Sequence, residues 1–303
     1  MHLRMWIALA TLALATPMSR AAEEPARHTL MHDGISRSYV LRLPEQNLKA
    51  GQRLPLVLVL HGGGGNAENA ERMTGFTEKG RKEGFIVVYP EGTGRMKNTL
   101  LTWNAVHCCG PAMKTNVDDA GFIRALIDDL ARRYPVDTKR IYATGMSNGG
   151  MMTHQLGIEL ADRLAAIAPV VATLFGDEKK PSQAVPALMI NGALDRNVPP
   201  EGNMPGGRGA KAWDGTPTRP ALAQGTFWAA ANGCKPEPSR TETRAWTHWR
   251  YVCPANSAVE LYLVKDNGHA WPGGQPGSRR GDAPTAAVNA TDVIWDFFAA
   301  HSR

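Results

Sequence analysis

The stretch that most restricts this chain is Gly145-Met146-Ser147-Asn148-Gly149, set between an apolar run (RIYAT, residues 140–144) and a helix-like pattern. A strand that turns straight into a helix within so few residues leaves room only for glycine on either side. The turn holds the intervening residue in a strained conformation with its side chain clear of the backbone. Ser147 therefore becomes a candidate nucleophile. The amide of Asn148 would then open a helix, where a free N–H and the positive end of the dipole suit a developing oxyanion.

A serine so placed needs a base and an acid that orients it, and on a sheet of this kind the expected chain order is Ser, then Asp or Glu, then His. The rest of the sequence supplies strands to carry them. Residues 55–60 (PLVLVL) and 84–89 (GFIVVY) are continuously apolar, as strands covered on both faces by helices should be. Residues 38–43, 164–171, 186–190 and 259–264 are further strand candidates, and helical spacing begins at Val117, after the elbow, near Thr226 and over 286–301. Strand alternating with helix predicts an α/β fold with a doubly wound, mostly parallel sheet and helices on both faces.

Asp195 follows the strand ending at Ile190, and His269 follows the strand ending at Val264, so both join Ser147 beyond the carboxyl ends of strands. Of the nine histidines only His248 competes with His269, and it sits inside a strand-like run, 246–252. Asp266 is a rival acid that more simply shapes the turn before His269. Asp118 and Asp119 precede the serine and are expected to cap a helix N-terminus.

The strand 55–60 runs into His61 and four glycines (residues 62–65), a loop able to bring backbone N–H groups to a ligand. It lacks the lysine and Ser/Thr of a P-loop and opens no G-x-G-x-x-G, which disfavours nucleotide and favours an oxyanion role. Residues 200–220, rich in Gly and Pro and containing Trp213, are expected to form a functional loop or partial lid.

Residues 1–21 read as a secretory signal, with Arg4 basic, an apolar run from Met5 to Ala15, and Ser19-Arg20-Ala21 at the cleavage position. The apolar run is too short for a membrane anchor, which needs about 20 residues. Cleavage would leave residues 22–303 as a single catalytic domain, secreted or periplasmic. The net charge of +6 is mild, and its basic residues are scattered among acids, which gives nucleic-acid binding no support. Four cysteines in an exported chain favour disulfides. Cys234 and Cys253 bracket a turn-rich segment and look like one pair. Cys108 and Cys109 are either joined to each other or bonded elsewhere.

Together these blocks resemble the secreted α/β-hydrolases of the polyhydroxybutyrate depolymerase and feruloyl/acetylxylan esterase family, carbohydrate-esterase family one. The blocks are LHGGGG (60–65), WNA (103–105) with CCG (108–110), VDDAGF (117–122), YATGMSNGG (142–150) and GHAWPGG (268–274). The resemblance implies Ser147 as nucleophile, His269 as base, Asp195 as its orienting acid, and the amides of Asn148 and Gly63 as oxyanion donors. It implies ester hydrolysis through an acyl-enzyme without metal or organic cofactor. Small or oligomeric esters are expected as substrates, because no appended substrate-binding module resembles those of the larger depolymerases. Trp103, Trp213 and Trp271 are candidate pocket residues. A catalytically inactive, secreted carbohydrate- or surface-binding protein on a hydrolase scaffold is the competing reading, against which the intact triad argues. Oligomeric state is not legible.

Overall fold

The computed structural model describes residues 27–45, 49–96, 98–207 and 209–303, so the signal segment expected at 1–21 lies outside the described residues. Ten strands form one sheet: β1 (Arg27–His32), β2 (Ile35–Arg42), β3 (Leu54–Leu60), β4 (Ile86–Pro90), β5 (Val136–Met146), β6 (Ala166–Val170), β7 (Ala187–Gly192), β8 (Ser239–Glu242), β9 (Trp246–Arg250) and β10 (Val259–Val264). Their spatial order is β1-β2-β4-β3-β5-β6-β7-β10-β9-β8. The run from β4 to β10 is parallel throughout, while β1 and β2 at one margin and β9 and β8 at the other are antiparallel additions.

The parallel strands are apolar on both faces because both are covered. In β3, Leu56, Leu58 and Leu60 pack with the helices α4 (Asp119–Arg133), α5 (Asn148–Glu159) and α6 (Ala221–Ala231). Val57 and Val59 point the other way, toward α1 (Ala67–Thr74), α2 (Phe76–Glu83) and α7 (Ala290–Ala299). A short helix, α3 (Gly110–Lys114), follows the adjacent cysteines, which are joined to each other; Cys234 and Cys253 form the second bridge.

Three local differences from the sequence reading have plain causes. The pair α1 and α2 is short and polar, so no long apolar periodicity marks it; Asn66 caps the first through a hydrogen bond from the Asn69 amide, and Gly75 in the left-handed region ends it. The margin strands β1 and β8 are polar and bury little. The last helix starts at Ala290 rather than near 286, because Asn289 caps it by accepting from the Asp292 amide. Among the described residues no helix is long and apolar enough to cross a membrane.

Candidate active site

Ser147 stands between β5 and α5 with φ +57°, a left-handed conformation that costs a non-glycine residue about 1–3 kcal/mol. The surroundings hold it there. Its amide donates to Val170 O at 2.9 Å, and the two flanking glycines are required by space. A Cβ on Gly145 would lie 2.6 Å from Gly149 O, and one on Gly149 only 2.4 Å from His61 O. The strand, the glycine loop and the helix therefore approach more closely than any side chain permits.

His269 sits on the loop after β10 with its Nε2 2.8 Å from Ser147 Oγ and its Nδ1 2.7 Å from Asp195 Oδ2. Since the buried Asp195 carboxylate can only accept, Nδ1 carries the proton and Nε2 is left to accept from the serine hydroxyl. Asp195 lies in the turn after β7, and its Oδ1 accepts from the amides of Asn197 and Val198, both at 2.8 Å. The histidine loop is fixed from two sides. Asp282 Oδ2 accepts from the His269 amide at 2.7 Å, and the fully buried Asn267 donates to Gly268 O and Ala270 O. Asp266, the rival acid, accepts from Thr285 Oγ1 at 2.8 Å and shapes the turn. The competing His248 pairs with Glu260 at 2.8 Å and stacks on Tyr262, away from the serine.

The glycine loop lies against the elbow: a Cβ on Gly62 would be 3.6 Å from Ser147 Cβ, and one on Gly63 would be 3.5 Å from Asn148 Cβ. Among the described residues no protein acceptor is found for the amide of Gly63 or of Asn148. The loop is anchored through His61, whose Nδ1 donates to Gly62 O and whose Nε2 accepts from the Gly92 amide. Burial lowers the His61 pKa to about 4, so the ring is neutral. The Asn148 side chain clasps the backbone of Trp103 from both sides, accepting from its N–H at 2.7 Å and donating to its carbonyl at 3.0 Å. That role for Asn148, beyond its amide, is invisible in a one-dimensional pattern.

Two of the three tryptophans expected at the pocket are not there. Trp103 is fully buried, donating its indole N–H to His61 O at 3.0 Å, and so braces the glycine loop from behind. Trp271 is also fully buried and donates to Thr291 Oγ1 at 3.0 Å in the core under α7. Both sit on motifs near the site yet face inward, because their bulk fills the space between loop and helix. Trp213 is half-buried on the 200–220 loop, against Phe175, and its backbone pairs antiparallel with that of Cys108. The expected cap residues also divide. Asp118 caps α4, accepting from the Gly121 amide at 2.8 Å, whereas Asp119 is buried in an ion pair with Arg37 at 2.6 Å and accepts from the Asn104 amide.

A mostly parallel sheet with a serine elbow, and a histidine and an acid on the loops that follow later strands, defines the α/β-hydrolase fold. The chain belongs to the family described as Esterase PHB depolymerase, which matches residues 37–199. It is 29% identical to feruloyl esterase B of Piromyces equi over 80% of this chain and 44% of that protein. It is likewise 29% identical to poly(3-hydroxyalkanoate) depolymerase C of Paucimonas lemoignei, over 38% of this chain and 27% of that protein. The chain thus spans less than half the length of either curated relative. Among solved structures it shares its fold with acetyl xylan esterase from Aspergillus awamori, at TM-score 0.61 and 13% identity, over 90% of this chain and 99% of that one.

Proposed function

We propose that this chain is an exported serine esterase, with residues 22–303 as one catalytic domain, that hydrolyses carboxylic esters of the feruloyl, acetyl or hydroxyalkanoate type. The observation that carries this reading is the continuous hydroxyl–imidazole–carboxylate chain, Ser147 to His269 to Asp195, with links of 2.8 and 2.7 Å. In the reaction, Ser147 Oγ attacks the ester carbonyl carbon while His269 Nε2 takes its proton. The amides of Asn148 and Gly63 receive the oxyanion. Collapse expels the alcohol, which leaves with the proton from Nε2, and water deprotonated by the same nitrogen then releases the acid and restores the serine. The chemistry is carried by these side chains and amides, without a metal or cofactor step. Trp213 and Phe175 form the half-buried aromatic wall offered to the acyl or alcohol group. The two disulfides fit an oxidising compartment and so support export.

The test is turnover of methyl ferulate, acetylated xylan and soluble hydroxybutyrate oligomers by the chain and by Ser147→Ala. Hydrolysis of at least one ester, lost in the variant by several powers of ten, is expected. Turnover that survives the substitution contradicts the reading.

A further inference from the structure

A groove of about 1140 Å³ is lined by β1, β2, the loop that follows β4, and α3. Its floor includes Gly92, where a Cβ would be 3.4 Å from His61 Cε1, and Leu101, whose carbonyl accepts from the Gly64 amide. It ends at Gly110, beside the joined cysteines, and at Lys211 and Ala212, just before Trp213. Through Gly92 and Leu101 it is joined to the glycine loop that packs against Ser147.

The groove is basic. Arg27 is paired with Glu91, but Arg95, Lys114 and Lys211 are exposed and have no carboxylate partner among the described residues. Deeper in, Arg37 is 2% exposed, and only its Nη2 is used, donating to Asp119 and to Glu91 O. Its Nε and Nη1 are buried without a partner, as is Thr93 Oγ1 on the same wall. Orphaned buried donors each cost about 1–3 kcal/mol, and because Nε and Nη1 lie on different edges of the guanidinium, with the engaged Nη2 common to both edges, Arg37 brings a buried positive charge to the groove rather than a free two-donor fork.

We propose that this groove binds a carboxylate-bearing oligosaccharide, the uronate-substituted stretch of the polysaccharide whose ester is presented to Ser147. The carboxylate would meet the exposed Arg95, Lys114 and Lys211, with the charge of Arg37 behind them, hydroxyls such as that of Ser36 would meet sugar hydroxyls, and Ile35 and Met96 would support sugar ring faces. No aromatic side chain lines the groove, so it offers nothing for nucleobases to stack on. The link to catalysis rests on the esterase reading; the binding does not.

The two are separated by titrating the Ser147→Ala protein, in a calorimeter at low ionic strength, with an ester-free xylo-oligosaccharide carrying one glucuronate, and with the neutral oligosaccharide of equal length. The acidic ligand is expected to bind at least about tenfold tighter. The triple variant Arg95→Ala, Lys114→Ala, Lys211→Ala should lose that preference, and in the Ser147 background it should leave methyl ferulate turnover unchanged. Arg37→Gln should lose it too, and if that variant does not fold the surface triple still decides. Equal binding of the two oligosaccharides, an unaffected triple variant, or displacement of the acidic sugar by equimolar inorganic phosphate overturns the proposal. Absence of ester turnover by the unsubstituted chain would count against the esterase reading and leave the binding result standing.

Discussion

The indole N–H of Trp103 donates to the carbonyl oxygen of His61 at 3.0 Å, and the two rings lie 4.9 Å apart. Through this pair the core holds the glycine loop, the proposed source of an oxyanion donor, against the elbow. Trp103→Phe keeps an aromatic ring but removes the donor and leaves a buried carbonyl unpaired, which should cost about 1–3 kcal/mol of stability. Because a small displacement of oxyanion donors is expensive, kcat should fall by about ten- to a hundredfold with KM little altered. Denaturant melts and steady-state kinetics on one preparation check both.

Asp119 and Arg37 form an ion pair at 2.6 Å in which both side chains are almost wholly buried. Burial pushes the Asp119 carboxyl above its usual pKa, against the opposing pull of Arg37 and the Asn104 amide. Asp119→Ala would leave a guanidinium charge in the interior and should destabilise the fold by about 3–5 kcal/mol. Asp119→Asn, which can still accept, should cost less. Urea unfolding followed by tryptophan fluorescence gives the comparison.

His61 and His154 are both fully engaged while neutral. His61 Nε2 accepts from the Gly92 amide, and His154 Nδ1 accepts from the Trp228 indole while its Nε2 donates to Gln224. Burial lowers each pKa from 6.5 to about 4. Between those values the unfolded chain binds more protons than the folded one, so this stability is complete above about pH 6.5 and is lost as pH falls toward 4. Each ring contributes on the order of 3 kcal/mol to that slope. Thermal melts from pH 7 to 4.5 should show a falling Tm, and His154→Gln should flatten the decline even if it lowers the starting value.

His107 ties two loops together, with Nδ1 2.7 Å from Asp214 and Nε2 2.9 Å from Asp177. Burial alone would lower its pKa, but hydrogen bonds to Asp214 and Asp177 outweigh it and the pKa is raised. The clasp is therefore complete below about pH 6.5 and loosens as pH rises through the folded-state value. Asp214 belongs to the loop that carries Trp213. Protection factors of the amides over 209–218, with the intrinsic base-catalysed rate divided out, should fall at alkaline pH, and in His107→Ala they should be low at every pH.

Much of this architecture is legible in the sequence because the parallel strands must be apolar on both faces, and a run such as residues 55–60 allows few other readings. The order of Ser147, Asp195 and His269 is legible because each follows such a strand. What a linear pattern hides is direction. Trp103 and Trp271 lie within motifs next to the site yet turn into the core, and Asp119 looks like its neighbour Asp118 but meets an arginine 82 residues away. The margin strands are obscure for a simpler reason. β8 is wholly exposed, so no burial imposes an alternation on it.

The most direct measurement of the central claim is covalent labelling with a fluorophosphonate, read by peptide mass spectrometry. The hydrogen-bonded chain of Ser147, His269 and Asp195 predicts one modified peptide, with the adduct on Ser147, and labelling slowed by orders of magnitude in His269→Ala. An adduct on another residue, or labelling of Ser147 that is indifferent to the loss of His269, would contradict it.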